Sequence, residues 1–412
     1  MSSLYLNTAG YLISVKAAPG APLPVAANPF RGCTIDSLSG EPHLTINIVR
    51  GVPPMPPGMK RVLHSPFYQQ QGKELVKRGD LLWSLYSASG ASGASEGAGE
   101  SGASEGAGES GASEGAGERS GFRGLYDDSL QSGGAAAGSD GKAAGSGGEA
   151  GDQGGRSGEI DGSGGEVGDQ GGGSGEIAGS GSEVGNQGGR SGGDEPFMIK
   201  SLVPDLRGTG RGDITAHLML SLNTDTWHLW LDTKEQEADI LPWPLDGLVL
   251  YYLAAMRGDI LIHASAIEYQ GRGYLFTGVS GKGKTTMARI WEERGARVIH
   301  DDRVVISTRQ KSGQQRPEIF STPVYDNDEP RSAPLNTICL IDHGSSNSSR
   351  PLRGSSAVTG LMANCIQHNW NHRLIESLTG ALQQVAGSCD IRKLQFLPDK
   401  SVTDHILSHE SK

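Results

Sequence analysis

The stretch that decides the fold runs from His263 to Ile306 and reads "HASAIEYQGRGYLFTGVSGKGKTTMARIWEERGARVIHDDRVVI". It contains a glycine-rich loop, one histidine before that loop and two adjacent aspartates after it. Either these features form one phosphate-handling site, or a common loop motif happens to lie near ordinary polar residues. The elements expected on each side of the loop favour a single site.

The segment from Gly278 to Thr285 fits the pattern GxxxxGK[ST] at every position. In such a loop, successive backbone N–H groups surround phosphate oxygens and the following helix presents its positive end. The pattern predicts a strand over "GYLFTG" before the loop and a helix over "KTTMARIWEERG" after it. Lys284 would neutralise phosphate charge, and the Thr285 hydroxyl would ligate Mg²⁺. We therefore predict an ATP site made of Gly278, Ser280, Gly281, Lys282, Gly283, Lys284, Thr285 and Thr286.

Two carboxylates follow the next predicted strand, "RVIHDD", 16 residues after Thr285. In enzymes with this type of loop, an aspartate at the end of a strand holds the metal ion. Adjacent side chains on extended backbone point to opposite sides. We therefore expect one of Asp301 and Asp302 to serve Mg²⁺ and the other to serve the phosphate acceptor. The alternative is a polar turn between two strands.

His263 lies in a predicted strand, 15 residues before Gly278. A single histidine in a strand is by default a core or edge residue whose hydrogen bonds are satisfied, so the residue alone does not indicate a role.

A second charged segment, "PVYDNDEPRSAPLN", connects two predicted strands between Pro323 and Asn336. Glu329 could supply another carboxylate for Mg²⁺, and Arg331 could stabilise transition-state charge. The alternative is a charged connecting loop with a proline turn.

The spacing H-x₁₄-G-x-S-G-x-G-K-[ST], followed by "RGARVIHDDRV", resembles the C-terminal catalytic domain of HPr kinase/phosphorylase. It is similar too to HPr-kinase-like proteins of peptide modification and to the wider phosphoenolpyruvate carboxykinase-like fold. The resemblance covers roughly residues 258–307. It implies that His263 manages charge beside the γ-phosphate and that Asp301 accepts the proton of the substrate hydroxyl. It also implies that Asp302 organises Mg²⁺ together with Thr285.

The resemblance implies an ATP- and Mg²⁺-dependent kinase acting on a hydroxyl, with a serine of a protein or peptide as the favoured acceptor. The reverse, phosphate-driven reaction is not expected, because the glycine-rich signature of the family's mobile segment has no close match downstream. Two alternatives stay open: an ATP-binding module without phosphate transfer, and a small-molecule kinase or carboxykinase-like enzyme. Paired aspartates near His263 favour catalysis, since binding alone does not require them.

A long low-complexity segment occupies residues 88–195. It contains 38 of the 63 glycines and three identical copies of "SGASEGAGE". Its apolar content is too low to offset the entropy of ordering, so we predict that it is disordered. The segment carries 19 acidic and 5 basic residues, so the rest of the chain has a net charge of +3 although the whole has −11.

Short strand-like segments flank this insert on both sides. They predict one β-rich domain in two parts, residues 1–87 and 196–242, interrupted at a hairpin tip by the insert 88–195. Two separate domains joined by a linker are the alternative. From residue 243 to 412 the pattern alternates strands and helices, which predicts an α/β catalytic domain with this loop.

Composition also bears on partners and compartment. The sequence has no basic stripe of the kind that binds nucleic acid. Its longest apolar stretch, "LVLYYLAAM", is too short to span a membrane. Four cysteines without CxxC spacing, and no recognisable signal peptide, favour the cytoplasm. Homo-oligomer formation is compatible with the sequence.

Overall fold

The computed structural model describes residues 2–71, 74–88, 196–203, 213–309, 316–325, 328–368 and 370–409. Residues 66–71 and 74–80 are described by their backbone alone. The segment predicted to be disordered lies, beyond residue 88, outside the described residues. Within them the chain is a mixed α/β protein made mostly of sheet.

The N-terminal part of the chain and residues 196–240 form strands. They are β1 (Ser3–Thr8), β2 (Tyr11–Ala17), β3 (Leu23–Ala26), β4 (Thr34–Ile35), β5 (Leu44–Arg50), β6 (Lys60–Gln71), β7 (Glu74–Ser87), β8 (Phe197–Val203), β9 (Ile214–Leu220), β10 (Thr226–Asp232) and β11 (Glu237–Ile240). Over the described residues, nine of them build one sheet in the order β4-β1-β2-β5-β10-β9-β8-β7-β6. The remaining two, β3 and β11, pair with each other in parallel.

The strands on either side of the insert are direct neighbours in this sheet. β7 and β8 pair antiparallel, with Trp83 opposite Ser201 and Tyr86 opposite Met198. The segment that begins after residue 88 therefore connects two adjacent antiparallel strands. The division of the chain into domains remains a prediction.

Helix α1 (Leu245–Met256) packs against the nine-stranded sheet. Every residue from Leu245 to Ala254 is buried. Tyr252 joins the same hydrophobic cluster as Phe197 and Trp227 of the sheet, with the rings of Tyr252 and Phe197 5.1 Å apart. An all-round apolar helix of this kind is stable only when its whole surface is covered.

The rest of the chain supplies a second sheet and four more helices. The strands are β12 (Ile260–Tyr269), β13 (Arg272–Thr277), β14 (Arg297–His300), β15 (Arg303–Ser307), β16 (Glu318–Ser321), β17 (Ser332–His343), β18 (Ser348–Pro351) and β19 (Asp390–Phe396). The helices are α2 (Lys284–Glu292), α3 (Ser355–Met362), α4 (His372–Ser388) and α5 (Ser401–Ser408). In the described part of the chain the strand order is β13-β12-β15-β16-β17-β19-β18, with β14 paired to β12 and β13 also paired to β17.

Three neighbouring strands of this sheet run parallel, because β17 pairs in parallel with both β13 and β19. Their carboxyl ends therefore lie at one edge of the sheet. In α/β proteins with open or closed sheets, ligands bind outside the carboxyl ends of the parallel strands. The segment after β13 is the glycine-rich loop, so the fold places that loop where a ligand site is expected.

Both faces of this sheet are covered. Tyr274 and Phe276 of β13 pack with Met287 and Trp291 of α2, whereas Leu275 between them belongs to a cluster with residues of α3 and α4. Alternate residues of a strand point to opposite faces, so α2 lies on one face and α3 and α4 on the other. None of the described helices is long and apolar enough to cross a membrane.

One predicted helix is shorter than expected. The sequence predicts helix from residue 355 to 368, but α3 ends at Met362. Beyond it the backbone pairs with β12: Ile366 donates to the Leu261 carbonyl (2.9 Å), and the Asn364 carbonyl accepts from the His263 N–H (3.1 Å). These bonds replace helical ones and fix the backbone of His263.

Candidate functional site

The glycine-rich loop, residues 278–283, lies against the carboxyl ends of β17 and β19. A Cβ atom on Gly278 would lie 2.9 Å from the Ile341 carbonyl oxygen, and one on Gly283 2.9 Å from Cζ of Phe396. Gly281 and Gly283 have φ angles of 80° and 88°, a left-handed backbone that favours glycine. The GxxxxGK[ST] segment therefore needs its glycines for conformation and for close approach to the sheet.

Two polar contacts connect the tip of this loop to the end of β17. Lys282 Nζ lies 2.7 Å from Asp342 Oδ1, and this hydrogen bond lowers the pKa of the Asp342 carboxyl. His343 Nε2 lies 3.0 Å from the Gly281 carbonyl oxygen. Because a carbonyl only accepts, Nε2 carries the proton in this bond.

Lys284 begins α2 and is buried. Its ammonium group donates to the carbonyl oxygen of Gly278 (3.0 Å) within the loop. Thr285 is exposed in the first turn of α2, Thr286 is half-buried, and Ser280 is exposed at the loop surface. The eight residues predicted to bind ATP thus lie on one strand-to-helix connection. Their role remains a prediction.

Strand β12 connects this loop to the two aspartates through three successive residues, 263–265. The carbonyl of the first accepts a hydrogen bond from Thr277 Oγ1 (2.9 Å), and the N–H of the second donates to the Asp302 carbonyl (2.9 Å). The hydroxyl of the third donates to the Lys284 carbonyl (2.8 Å). The strand therefore fixes the distance between the loop, the start of α2 and the aspartates.

Asp302 is buried between His263 and Arg303. Its Oδ1 lies 3.2 Å from His263 Nδ1, and its Oδ2 lies 3.3 Å from Arg303 Nε. Burial acts to raise the pKa of Asp302. The hydrogen bond with His263 and the charge of Arg303 outweigh burial, so this pKa lies below its usual value. Asp302 is therefore an anion at neutral pH.

The same arginine contacts a carboxylate of α1. Arg303 Nη2 lies 3.4 Å from Asp246 Oδ2, and both groups are buried. Burial raises the pKa of Asp246, although Arg303 acts in the opposite direction. Burial alone would lower the pKa of Arg303, but Asp246 and Asp302 raise it above its usual value. The network links the aspartates to the helix that packs on the first sheet.

Asp301 differs from Asp302 in its surroundings. Both lie in the turn between β14 and β15, which we call the acidic turn, and not on extended backbone as predicted. The expected separation of their side chains nevertheless occurs. Asp301 is half-buried and its Oδ1 accepts a hydrogen bond from the Tyr325 hydroxyl (3.1 Å), whereas Asp302 contacts His263.

Glu329 and Arg331 lie apart from these contacts. Glu329 is exposed, and its backbone carbonyl accepts from Ser321 Oγ (3.3 Å). The exposed Arg331 donates to the Val298 carbonyl of β14 (3.1 Å). Across the described ranges, no hydrogen bond or ion pair joins either side chain to the acidic turn. Their roles as metal and transition-state ligands remain predictions without a supporting contact.

Several residues of this site did not stand out in the sequence. No local sequence pattern marks Asp246 and Arg303, because they come together only when α1 packs beside β15. Tyr325 and Asp328 lie in the same charged segment as Glu329 and Arg331. Their only local signal is the spacing, with Tyr325 three positions before Asp328 in a charged segment.

The described residues offer few ligands for a metal ion. Within the described residues there is no group of three or more His, Cys, Asp or Glu side chains arranged to hold a metal ion. Mg²⁺ usually takes only one or two protein carboxylates and keeps several waters. The exposed Thr285 hydroxyl and the anionic Asp302 are hard oxygen donors of the type that Mg²⁺ accepts.

A protein-family model and solved structures match parts of this chain. A protein-family model described as ScmC, the SynChlorMet cassette protein, matches residues 230–386, which is less than half of the chain. No curated protein matches the sequence significantly. A solved structure, the Hpr(Ser) kinase/phosphatase from Coxiella burnetii, matches with 12% identity, covering 36% of this chain and 98% of that chain. Its TM-score is 0.22, so the structural likeness is weak and no conclusion about activity is drawn from it.

Proposed function

We propose that the chain is an HPr-kinase-like enzyme that transfers the γ-phosphoryl group of ATP to a hydroxyl, favouring serine in a protein or peptide. The observation that carries the proposal is the connection made by residues 263–265 of β12. Through three hydrogen bonds, these residues join the end of β13 directly before the glycine-rich loop, the first residue of α2 and the acidic turn. Phosphate binding and proton transfer must occur within a few ångström of each other, and the hydrogen bonds of one strand to both segments support such an arrangement.

Phosphate binding is assigned to the loop and the start of α2. The loop N–H groups and the positive end of α2 favour an anion. Lys284 adds a full charge there and would exchange its bond to the Gly278 carbonyl for one to a phosphate oxygen. Mg²⁺, held by Thr285 and Asp302, would neutralise the charge on the phosphates.

Proton transfer is assigned to the acidic turn. Asp301 is half-exposed, so its carboxylate can receive the proton of an incoming hydroxyl. Asp302 is buried and contacts His263 and Arg303, which suits a fixed anion rather than a proton acceptor. His263 would assist as a hydrogen-bonding partner of Asp302 beside the transferred group.

A second candidate is an ATP-binding module that does not transfer phosphate. One observation favours it: both oxygens of Asp302 contact His263 or Arg303, so Mg²⁺ has to compete with these groups. Such a module would need Lys284 and the loop but not Asp301. Substitution of Asp301 therefore separates the two functions.

The test uses the full-length chain with Mg-ATP. We expect Lys284→Ala to weaken ATP binding, measured by calorimetry, by at least about tenfold. Asp301→Asn should retain ATP binding within about twofold and lower phosphoryl transfer to water or protein at least about a hundredfold. Lys234→Ala and Asp232→Asn, at exposed positions near β10, are the controls. Full transfer by Asp301→Asn would contradict the assigned proton acceptor.

The acceptor is approached through the family-model match. That family consists of a cassette protein, and we propose that a neighbouring gene encodes the phosphate acceptor. Incubating the chain and labelled ATP with each neighbouring gene product would identify it. Labelling of a small molecule instead would favour a small-molecule kinase.

A further inference from the structure

The segment that follows β16 contacts His300, directly before the acidic turn, through Asp328. Asp328 Oδ2 accepts hydrogen bonds from the N–H groups of Val324 (2.9 Å) and Tyr325 (2.7 Å). His300 Nε2 lies 3.4 Å from the same oxygen. One carboxylate therefore connects the backbone around Tyr325 to the last residue of β14.

The protonation of His300 follows from its other nitrogen. Nδ1 accepts from the N–H groups of Asp302 (3.1 Å) and Arg303 (3.3 Å). Backbone amides only donate, so Nδ1 has no proton, and the neutral ring carries its hydrogen on Nε2. Nε2 then donates to Asp328. Burial acts to raise the pKa of Asp328, but this bond and the backbone N–H groups lower it below its usual value.

The side chain of Tyr325 contacts His300 through its ring and Asp301 through its hydroxyl. Its ring stacks on the imidazole of His300, with centroids 5.5 Å apart and planes at 19°. Its hydroxyl donates to Asp301 Oδ1 at 3.1 Å. Burial, and next the charge of Asp301, raise the pKa of Tyr325 well above its usual value. The phenol is therefore protonated at neutral pH and acts as a donor to Asp301.

We propose that Tyr325 is a positioning residue that orients the Asp301 carboxylate for proton transfer. The inference rests on the proposed function, because Tyr325 can orient Asp301 for catalysis only if Asp301 takes the proton of the substrate hydroxyl. Tyr325 binds Oδ1, which directs Oδ2 to the acceptor hydroxyl. A carboxylate with one fixed oxygen loses less orientational freedom in the transition state than one that rotates.

The transfer step balances with Tyr325 unchanged. The acceptor oxygen forms a bond to the γ-phosphorus, while the bond between that phosphorus and the β–γ bridging oxygen breaks. The bridging oxygen keeps the electron pair and leaves as part of ADP. The acceptor's proton passes to Asp301 Oδ2 and then to water. Tyr325 retains its own proton throughout.

A tyrosine hydroxyl beside a proton acceptor could itself receive phosphate. The contacts of Tyr325 favour positioning, because its ring is stacked on His300 and both its N–H and that of Val324 bind Asp328. An acceptor has to advance towards the γ-phosphate and withdraw after transfer. A residue attached at its backbone and its ring is poorly suited to that movement.

The experiment compares full-length Tyr325→Phe with the unaltered full-length chain. Water is the acceptor of phosphate from Mg-ATP. We expect the turnover number for ATP hydrolysis to fall about tenfold and the dissociation constant for a fluorescent ATP analogue to change less than about twofold. Asp328→Asn should lower turnover in the same direction. Tyr269→Phe, at a half-buried tyrosine of β12 that contacts Trp291, is the matched control.

A double variant distinguishes positioning from a merely structural effect. If Tyr325 acts through Asp301, Tyr325→Phe should cause no further loss of turnover in the Asp301→Asn background. An additive loss, or unchanged turnover of Tyr325→Phe, would overturn the inference while leaving the proposed function intact. Phosphate found on Tyr325 by mass spectrometry would also overturn it. If the unaltered chain neither binds nor hydrolyses ATP, the proposed function fails, and this inference fails with it.

Discussion

His263 Nδ1 lies 3.2 Å from Asp302 Oδ1, and both side chains are almost completely removed from solvent. These residues are 39 positions apart in the sequence and meet because β12 pairs with β15, with His263 opposite Arg303. The contact joins β12 to the acidic turn between β14 and β15.

Removing either member of this pair should destabilise the fold, and removing both should cost less than the sum. A buried hydrogen bond to a charged group contributes about 1.5–3 kcal/mol. We expect a coupling free energy of that size in a double-mutant cycle of His263→Ala and Asp302→Asn. Urea unfolding of the full chain at neutral pH measures it. A cycle of His263→Ala with Asp399→Asn, where Asp399 binds Ser401, should be additive within about 0.5 kcal/mol.

Arg303 should be the most sensitive residue of the network. Replacing it by methionine leaves Asp302 and Asp246 buried without their shared cation. Breaking a buried ion pair from one side costs about 3–5 kcal/mol of unfolding free energy. Adding Asp246→Asn to Arg303→Met should recover part of this loss, because one buried anion is removed. The exposed Arg353→Met is the control, and an equal effect of both arginine variants would contradict the network.

Part of this site has a local signature in the sequence. Lys284 and the loop glycines were predicted from a pattern with its own conformational logic, and the structure places them on a strand-to-helix connection. The turn containing Asp301 and Asp302 was located correctly, since an apolar strand ends directly before it. The extended backbone expected there was wrong, because the chain reverses immediately into β15.

The remaining contacts depend on long-range packing and have no local signature. Asp246 reaches Arg303 across 57 positions, and Tyr325 reaches Asp301 through a connecting segment whose conformation depends on Asp328. Spacing within one segment cannot report such pairs. The end of α3 at Met362 was missed for the same reason, since β12 provides the competing hydrogen bonds.

The two left-handed glycines of the loop should respond differently to alanine. Gly281→Ala meets no atom within 4 Å, so it incurs only the left-handed backbone cost of about 1–2 kcal/mol. Gly283→Ala has the same backbone cost and also contacts Cζ of Phe396 at 2.9 Å, which adds about 1–3 kcal/mol. Thermal unfolding of both variants measures the difference. Equal destabilisation would show that Phe396 moves aside freely.

The Gly283 effect can be traced to its neighbour with a second substitution. Phe396→Leu shortens the side chain that the new methyl group meets. We expect the combined Gly283→Ala and Phe396→Leu variant to be destabilised by less than the sum of the two changes. A strictly additive result would assign the whole Gly283 effect to backbone conformation.

His368 predicts a dependence of stability on pH outside the candidate site. Its ring is buried against Tyr251, with centroids 4.4 Å apart, and Nδ1 lies 2.9 Å from the Tyr252 hydroxyl. Burial lowers the pKa of His368 from 6.5 to about 3. In the unfolded chain the ring takes up a proton near its ordinary pKa, whereas the folded chain keeps it neutral until about pH 3. The unfolded state therefore binds more protons in this interval.

Stability should accordingly fall with acidification between about pH 6.5 and about pH 3, by up to about 1.4 kcal/mol of unfolding free energy per pH unit from this group. Above pH 7 the contribution is constant. His368→Gln should be less stable than the unaltered chain at pH 7, and this deficit should shrink as the pH falls, because the variant lacks the titration. Urea unfolding at pH 7, 6 and 5 measures the two slopes. The exposed His228→Gln is the control, and a parallel course for His368→Gln and the unaltered chain would mean that folding does not lower the pKa of His368.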